Sequence, residues 1–177
     1  KKEYFHIYFH EFSEPNYREA AQEIAKKAKE KFAVPAFFIG LSHHETDGEE
    51  VLRGLEDIVG KEVNAFGGGA GDDYAFKETV VFANGKDSNK AIVCIAIDET
   101  KITVEGITTC GWKAVGTEKK VTKSEGNHVY TVDNVPVLDL TAKYGGLEDV
   151  TPENKNLLLE IASSLPLQLQ REKGDPV

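Results

Sequence analysis

A run of four glycines in five positions, followed at once by two aspartates, is the part of this sequence best suited to binding. It occupies residues 66–73 and reads Phe-Gly-Gly-Gly-Ala-Gly-Asp-Asp. Glycine loses much conformational entropy on folding, so such a cluster indicates unusual backbone angles or the close approach of another group. Asp72 and Asp73 add negative charge where side-chain bulk is missing. An exposed backbone beside carboxylates suits a small molecule that carries an amine, or a cation.

Phosphate-binding loops fit this run poorly. A Walker loop needs Lys-Ser or Lys-Thr after its last glycine, at the start of a helix, whereas Asp72 and Asp73 follow here. A dinucleotide fingerprint also needs a helix that begins at the glycines, and a strand is predicted instead. A Gly-Asp-Asp triplet occurs in polymerase metal sites, but this acidic chain is too short for a polymerase. A purely structural alternative stays open, in which the aspartates bond to local N–H groups of a tight turn.

Four of the five histidines raise the possibility of a metal or haem site, because imidazole is the commonest metal ligand. His6 and His10 share one face of a predicted strand. They are about 13 Å apart at ~3.3 Å per residue, which is too far to share one ion. His43 and His44 follow a predicted buried strand. No spacing matches a zinc module, so the sequence predicts no metal site.

No catalytic set is predicted either. Cys94 lies inside an apolar run, which is typical of a core residue. Cys110 precedes Gly111-Trp112 and has no neighbouring base that would activate it. Ser42 is not part of a Gly-x-Ser-x-Gly elbow. Because no nucleophile can be paired with a base, we expect a protein that is not an enzyme.

Composition narrows the kinds of partner and the compartment. The chain has 177 residues and a net charge of -9, which argues against nucleic acid or an anionic membrane as the main partner. No apolar run approaches the ~20 residues that span a bilayer, and no signal-peptide pattern is present. Two cysteines make no disulfide framework, which favours a cytoplasmic location. Methionine is absent even at position 1, so we expect a piece of a longer polypeptide.

Hydrophobic periodicity predicts strands and helices in alternation over the first third of the chain. The predicted order is strand 4–12, helix 17–32, strand 36–41, helix 49–59 and strand 63–66. This order favours a parallel βαβ arrangement, with the glycine run leaving the end of the last strand.

The second half of the chain has the pattern of an antiparallel meander followed by helices. Its predicted strands are 79–83, 91–97, 102–109, 127–132 and 165–170. Asn84-Gly85 is a strong turn signal between the first two of these strands. Residues 135–144 and 154–164 are predicted to be helical. The predicted fold class is therefore mixed α/β, with a parallel front end, an antiparallel second half and helices packed on the sheet.

Several motifs, in order, resemble the FIST domain signature. They are the glycine run with Phe76, Thr79, Val81-Phe82 and Asn84-Gly85, then residues 111–116 and 121–127. Residues 135–144 resemble the start of the FIST C-terminal domain. We therefore predict a FIST N-terminal-type domain over residues 1–134 that lacks its upstream part. The start of a truncated FIST C-terminal-type domain is predicted over residues 135–177.

The resemblance implies a sensory, ligand-binding module of prokaryotic signal-transduction proteins. Such modules occur alone or with histidine kinases and chemotaxis receptors, so a kinase or chemotaxis partner is expected, in cis or in trans. Amino acids are the ligands proposed for the family. Some relatives are reported to bind haem and respond to nitric oxide, which leaves a haem sensor with a histidine ligand as the alternative. The family provides no catalytic residues.

The predicted ligand site combines the glycine run with later loops. The residues expected to contact the ligand or its amine are Gly68, Gly69, Gly71, Asp72 and Asp73. The candidate wall residues are Trp112, Thr122, Lys123 and Asn127, with Lys123 available for a ligand carboxylate. A scaffold without any small ligand is a further alternative, in which the glycines only shape a turn.

Overall fold

The computed structural model describes residues 3–13, 15–42, 45–73, 75, 77–107, 113, 116–126, 128–148, 151 and 154–168. The chain forms two compact units, Lys1–Thr109 and Cys110–Val177. The domain boundary expected between residues 134 and 135 stays a prediction.

The first unit is built on a four-stranded sheet. Its elements in chain order are β1 (Phe5–Glu11), α1 (Tyr17–Lys31), β2 (Pro35–Leu41), α2 (Gly48–Val59), β3 (Ala65–Gly69), β4 (Val81–Ala83), β5 (Lys86–Ser88) and β6 (Ala91–Asp98). The strand order of the sheet is β1-β6-β2-β3, and β4 pairs with β5 as a separate hairpin. The predicted alternation of strands and helices is confirmed.

Strand β6 separates the two strands that the sequence places first. It pairs antiparallel with β1 on one side and with β2 on the other. Strands β1 and β2 are therefore parallel to each other without being neighbours, while β2 and β3 pair directly in parallel. The mixed fold class and the parallel front end are confirmed.

Helices α1 and α2 bury their apolar sides against one face of this sheet. The core residues are Phe12, Tyr17, Ala20, Ala21, Ile24, Ala25, Ala28, Phe32, Phe37, Ile39, Val51, Leu55, Ile92, Cys94 and Ala96. The helices approach closely at Gly54, where a Cβ would lie 2.7 Å from the Cβ of Ala21. In α2, Val51 and Leu55 are buried, whereas Leu52 is 42% exposed.

The starts of the two helices differ. Asp47 caps α2, because its side chain accepts hydrogen bonds from the N–H groups of Glu49 and Glu50 at 3.0 and 3.2 Å. Asn16 precedes α1 and Glu19 lies three residues further on, which is the spacing of a capping box. Asn16 makes no side-chain cap hydrogen bond, and its carbonyl accepts from the N–H of Ala20 instead.

The β4–β5 hairpin turns at the predicted Asn84-Gly85 pair. Both residues have positive φ, 54° and 76°, as a two-residue hairpin turn of type I′ requires. The connection between β4 and β6 contains β5, which the sequence did not predict. Val81 of β4 is buried and lies 3.8 Å from the position of a Cβ on Gly40. The hairpin therefore packs beside the carboxyl end of β2.

Two predicted strands are wrong over the residues that the structure describes. Residues 102–107 and 165–168 carry no strand. The remainder of each predicted strand, 108–109 and 169–170, lies outside the described residues.

The second unit is a small antiparallel sheet followed by helices. Its elements are β7 (Val121–Glu125), β8 (His128–Val132), β9 (Val135–Pro136), α3 (Val137–Tyr144) and α4 (Lys155–Ser164). The strand order β7-β8-β9 is that of a meander, which confirms the antiparallel second half. Both predicted helices are present. Within the described ranges, none of the helices in the chain has the length and apolar character that crossing a membrane requires.

Candidate functional site

Three residues of the glycine run belong to strand β3 and do not leave its end. Gly67, Gly68 and Gly69 pair with Ile39, Gly40 and Leu41 of β2. The prediction that the strand ends at Phe66 is therefore wrong. Strand propensity gave no signal for this extension because glycine has no side chain to pack on a sheet.

Gly67 is required by the fold. Its φ is +153°, a backbone conformation that side chains with L chirality rarely adopt. A Cβ at this position would overlap the carbonyl oxygen of Ile39 and lie 2.7 and 2.8 Å from its carbonyl carbon and nitrogen. Any other residue here would force the backbones of β2 and β3 apart.

Gly68, Gly69 and Gly71 have no such requirement. None of the three has a positive φ. A Cβ added to any of them would meet no described residue within 4 Å. They therefore create a stretch of bare backbone at the carboxyl end of two parallel strands, which is the edge where open α/β sheets bind ligands.

Asp72 holds the loop that follows the glycines. Its Oδ2 accepts hydrogen bonds from the backbone N–H of Lys77 at 2.7 Å and of Glu78 at 3.3 Å. Its own carbonyl accepts from the N–H of Ala75 at 3.1 Å. The structural alternative raised by the sequence, a carboxylate bonded to local N–H groups, therefore describes Asp72.

Asp73 has a different environment from its neighbour. It is exposed, and its φ of 54° lies in the left-handed region. Within the described ranges, no hydrogen bond or ion pair links its carboxylate to another residue. Asp73 is thus the aspartate that offers its charge at the surface next to the bare backbone.

The predicted wall residues all lie in the second unit. Thr122 has its Oγ1 2.8 Å from Oγ1 of Thr131 and accepts from the N–H of Asn134 at 2.9 Å. Lys123 places its Nζ 5.4 Å from the centre of the Tyr130 ring. Both side chains contact their own β-sheet.

Two other wall residues, Trp112 and Asn127, lie outside the described residues. The structure thus brings together Gly68, Gly69, Gly71, Asp72 and Asp73 within one segment. It does not test whether the four wall residues join them, and that part of the site stays a prediction.

Two of the histidines that the structure describes have local partners. His6 Nδ1 lies 3.0 Å from Nζ of Lys31, and His10 Nδ1 lies 3.7 Å from the carboxylate of Glu23. His43 and His44 lie outside the described residues. No group of metal-binding side chains occurs among the residues that were described, and no observation there favours haem.

Ser42 and Cys94 have structural roles. The hydroxyl of Ser42 accepts from the N–H of Ala91 at 2.8 Å and donates to its carbonyl at 3.2 Å, which ties the end of β2 to β6. Cys94 is buried in the core, and this burial raises the pKa of its thiol to about 12. The thiol is therefore protonated at neutral pH and a poor nucleophile. Cys110 lies outside the described residues.

Sequence reasoning missed two residues beside β3. The side-chain amide of Asn64 donates to the carbonyl of Val104 and, at 3.1 Å, to Glu99. Gly106 lies against the ring of Phe66. These partners are about 40 residues apart in the chain, so no local pattern indicates them.

A sheet with bare backbone at the end of its parallel strands, an exposed carboxylate beside it and helices on one face is an architecture suited to ligand binding. In a comparison with known families, the family model of the FIST N domain matches residues 3–135. That span is more than half of the chain, and the chain belongs to the FIST family. FIST domains are a sensory domain family of signal transduction. Searches of curated proteins and of solved structures found no match.

Proposed function

We propose that this chain senses an amino acid or another small amine, which binds on the bare backbone of Gly68, Gly69 and Gly71. The observation that carries the proposal is that these three glycines are needed neither for backbone conformation nor for packing among the described residues. A glycine costs about 0.5–1 kcal/mol relative to alanine inside a strand. A close approach of a ligand to the backbone supplies a reason for that cost.

Asp73 is the group that receives the ligand amine in this proposal. Its carboxylate is exposed next to the glycines, and charged groups make stronger hydrogen bonds than neutral ones. Asp72 acts indirectly, because its bonds to Lys77 and Glu78 fix the loop that presents Asp73. Lys123 is the proposed partner of the ligand carboxylate, with Trp112, Thr122 and Asn127 as wall residues.

Thermal unfolding of the whole chain with each of the twenty standard amino acids tests this proposal. We expect at least one of them to raise the melting temperature, because a ligand at 100 times its Kd adds about 2.7 kcal/mol to stability. The variant Asp73→Asn should lose that shift. The matched control is Asp87→Asn, which removes the same charge from an exposed position in strand β5. This variant should keep the ligand-dependent shift in melting temperature.

Two outcomes would contradict the proposal. The first is that no amino acid or simple amine shifts the melting temperature of the wild type. The second is that the ligand raises the melting temperatures of Asp73→Asn and of Gly68→Val as much as that of the wild type. Lys123→Gln tests the proposed carboxylate contact separately, since it should weaken binding of amino acids more than of simple amines.

We also propose that the ligand state is passed to a histidine kinase or a chemotaxis partner in the cytoplasm of a prokaryote, in cis or in trans. The place of the FIST family in signal transduction supports this. The measurement is kinase autophosphorylation with and without the stabilising amino acid. Equal rates with every candidate kinase would argue against it.

A further inference from the structure

The outer edge of β3 has backbone groups that point away from the sheet. The N–H of Phe37 donates to the carbonyl of Asn64, and the N–H of Ala70 donates to the carbonyl of Leu41. In a parallel pair, alternate residues bond to the partner strand. The residues between them, Ala65, Gly67 and Gly69, therefore direct their N–H and C=O groups outward. Over the described part of the chain, no strand pairs with this edge.

Residues 102–107 run alongside this edge in a constant register. Asn64 contacts Val104 through its side-chain amide, and Phe66 contacts Gly106. In each pair the two residues are 40 positions apart in the sequence. The second pair lies two residues further along both segments, so the two segments run in the same direction. A segment that keeps one offset along a strand has the alignment of a parallel neighbour in a sheet.

The composition of the segment also suits a strand. Ile102, Thr103 and Val104 are β-branched residues, which favour strands. A Cβ on Gly106 would lie 2.8 and 3.0 Å from Cγ and Cβ of Phe66, so a glycine allows the aromatic ring to pack across the pair. Ile107 is 89% exposed, which leaves a large apolar side chain without cover in the present conformation.

We propose that residues 102–107 form a strap that closes on β3 as a fifth, parallel strand when the glycine run binds its ligand. In this register Ala65 faces Glu105 and Gly67 faces Ile107. The N–H of Ala65 then donates to the carbonyl of Val104, and the N–H of Gly67 donates to the carbonyl of Gly106. Asn64 already holds the Val104 carbonyl, so the strap is anchored next to its closed position.

Ligand binding and strap closure are linked by their positions on β3. The strap ends at Ile107, which the register places beside Gly67, one residue before the proposed ligand surface at Gly68. A ligand on that surface contacts the end of the closed strap and favours the closed state. The inference rests on the proposed function, because the ligand is what shifts the equilibrium.

Amide hydrogen exchange of the whole chain, measured by NMR, tests the strap. The probe is an equimolar mixture of the twenty standard amino acids. We expect the Ala65 and Gly67 amides to exchange at least about tenfold more slowly with the mixture than without it. The amide of Gly85, in the hairpin turn, should not change. Thermal stabilisation by the mixture without slower exchange at Ala65 and Gly67 would overturn the strap and leave the proposed function standing. No stabilisation and no slowing, either with this mixture or with simple amines, would overturn both.

Engineered disulfides test the register independently of exchange. Ala65→Cys with Glu105→Cys places the two sulfur atoms on residues that pair directly, within the Cα separation of 4.4–6.8 Å that disulfides allow. We expect this pair to oxidise at least about tenfold faster than the control, Ala65→Cys with Thr103→Cys, which is displaced by two residues. Peptide mapping distinguishes the new bond from bonds to Cys94 or Cys110. Equal rates for the two pairs would contradict the proposed register.

Discussion

Residues of one type can have different roles in a short run. Gly67 is fixed by its φ and by the Ile39 backbone, whereas Gly68, Gly69 and Gly71 have free space around them. The sequence indicates that the cluster is unusual, but it cannot separate these roles. The distinction depends on β2, whose residues are about 28 positions away and pair with β3 only in the folded chain.

Alanine substitutions should reveal this difference between neighbours. Gly67→Ala should lower the free energy of unfolding by more than about 2 kcal/mol, because it combines backbone strain with a backbone clash. Gly68→Ala should leave it unchanged or raise it by up to about 1 kcal/mol, because it only restricts the unfolded chain. Urea denaturation measures both. Equal losses for the two variants would show that all the glycines are structural.

The carboxylate of Asp57 links the two helices of the first unit through several hydrogen bonds. Arg18 of α1 donates to both oxygens of Asp57 of α2, at 2.7 and 2.9 Å. Gln22 adds a third hydrogen bond at 2.8 Å. These bonds favour the charged form and lower the pKa of Asp57 from 3.8 to about 2. They lie at the surface beside Gly54, where the two helices approach closely.

The contribution of Asp57 should depend on pH with a definite sign. A carboxylate whose pKa is lowered by folding stabilises the native state above its unfolded pKa. That stability is lost as pH falls from about 4 to about 2. The wild type should therefore exceed Asp57→Asn in free energy of unfolding at pH 6, and the gap should narrow at pH 2. Asp87→Asn is the control. An equal difference in free energy of unfolding at both pH values would contradict the claim that the charged form of Asp57 stabilises the native state.

At the scale of elements, local patterns predicted what each segment forms better than how the segments pair. The runs that became β1, α1, β2 and α2 have clear periodicity and were predicted. The position of β6 between β1 and β2 has no local signal, because it depends on contacts between residues about 50 to 90 positions apart. Residues 102–107 have strand composition, yet composition cannot show whether a strand has found its partner.

Across the whole molecule, buried apolar side chains are distributed unevenly. Most of those described lie in the first unit. In the second unit the buried apolar side chains that the structure describes are Val132, Leu140 and Ala142. A unit that buries little apolar area opens at a lower cost than one with a large core.

Native-state hydrogen exchange should therefore separate the two units. Amides of β8 and α3 should exchange through openings of smaller free energy than amides of β6, because β6 is hydrogen-bonded on both sides and lies over the core. The measurement is exchange as a function of sub-denaturing guanidinium concentration. A single opening free energy shared by β6, β8 and α3 would show instead that the chain unfolds as one cooperative body.

The central place of β6 has a consequence for synthesis on the ribosome. Translation releases β1, α1, β2, α2 and β3 long before residues 91–98 emerge. Until then β1 can pack against α1 but has no strand to pair with, since its only partner within the described sheet is β6. The nascent chain thus holds an aromatic strand, Phe5–Glu11, with both edges unpaired. Such edges are templates for aggregation. A chaperone that stays bound to the nascent chain until residue 98 has emerged would therefore protect β1 best.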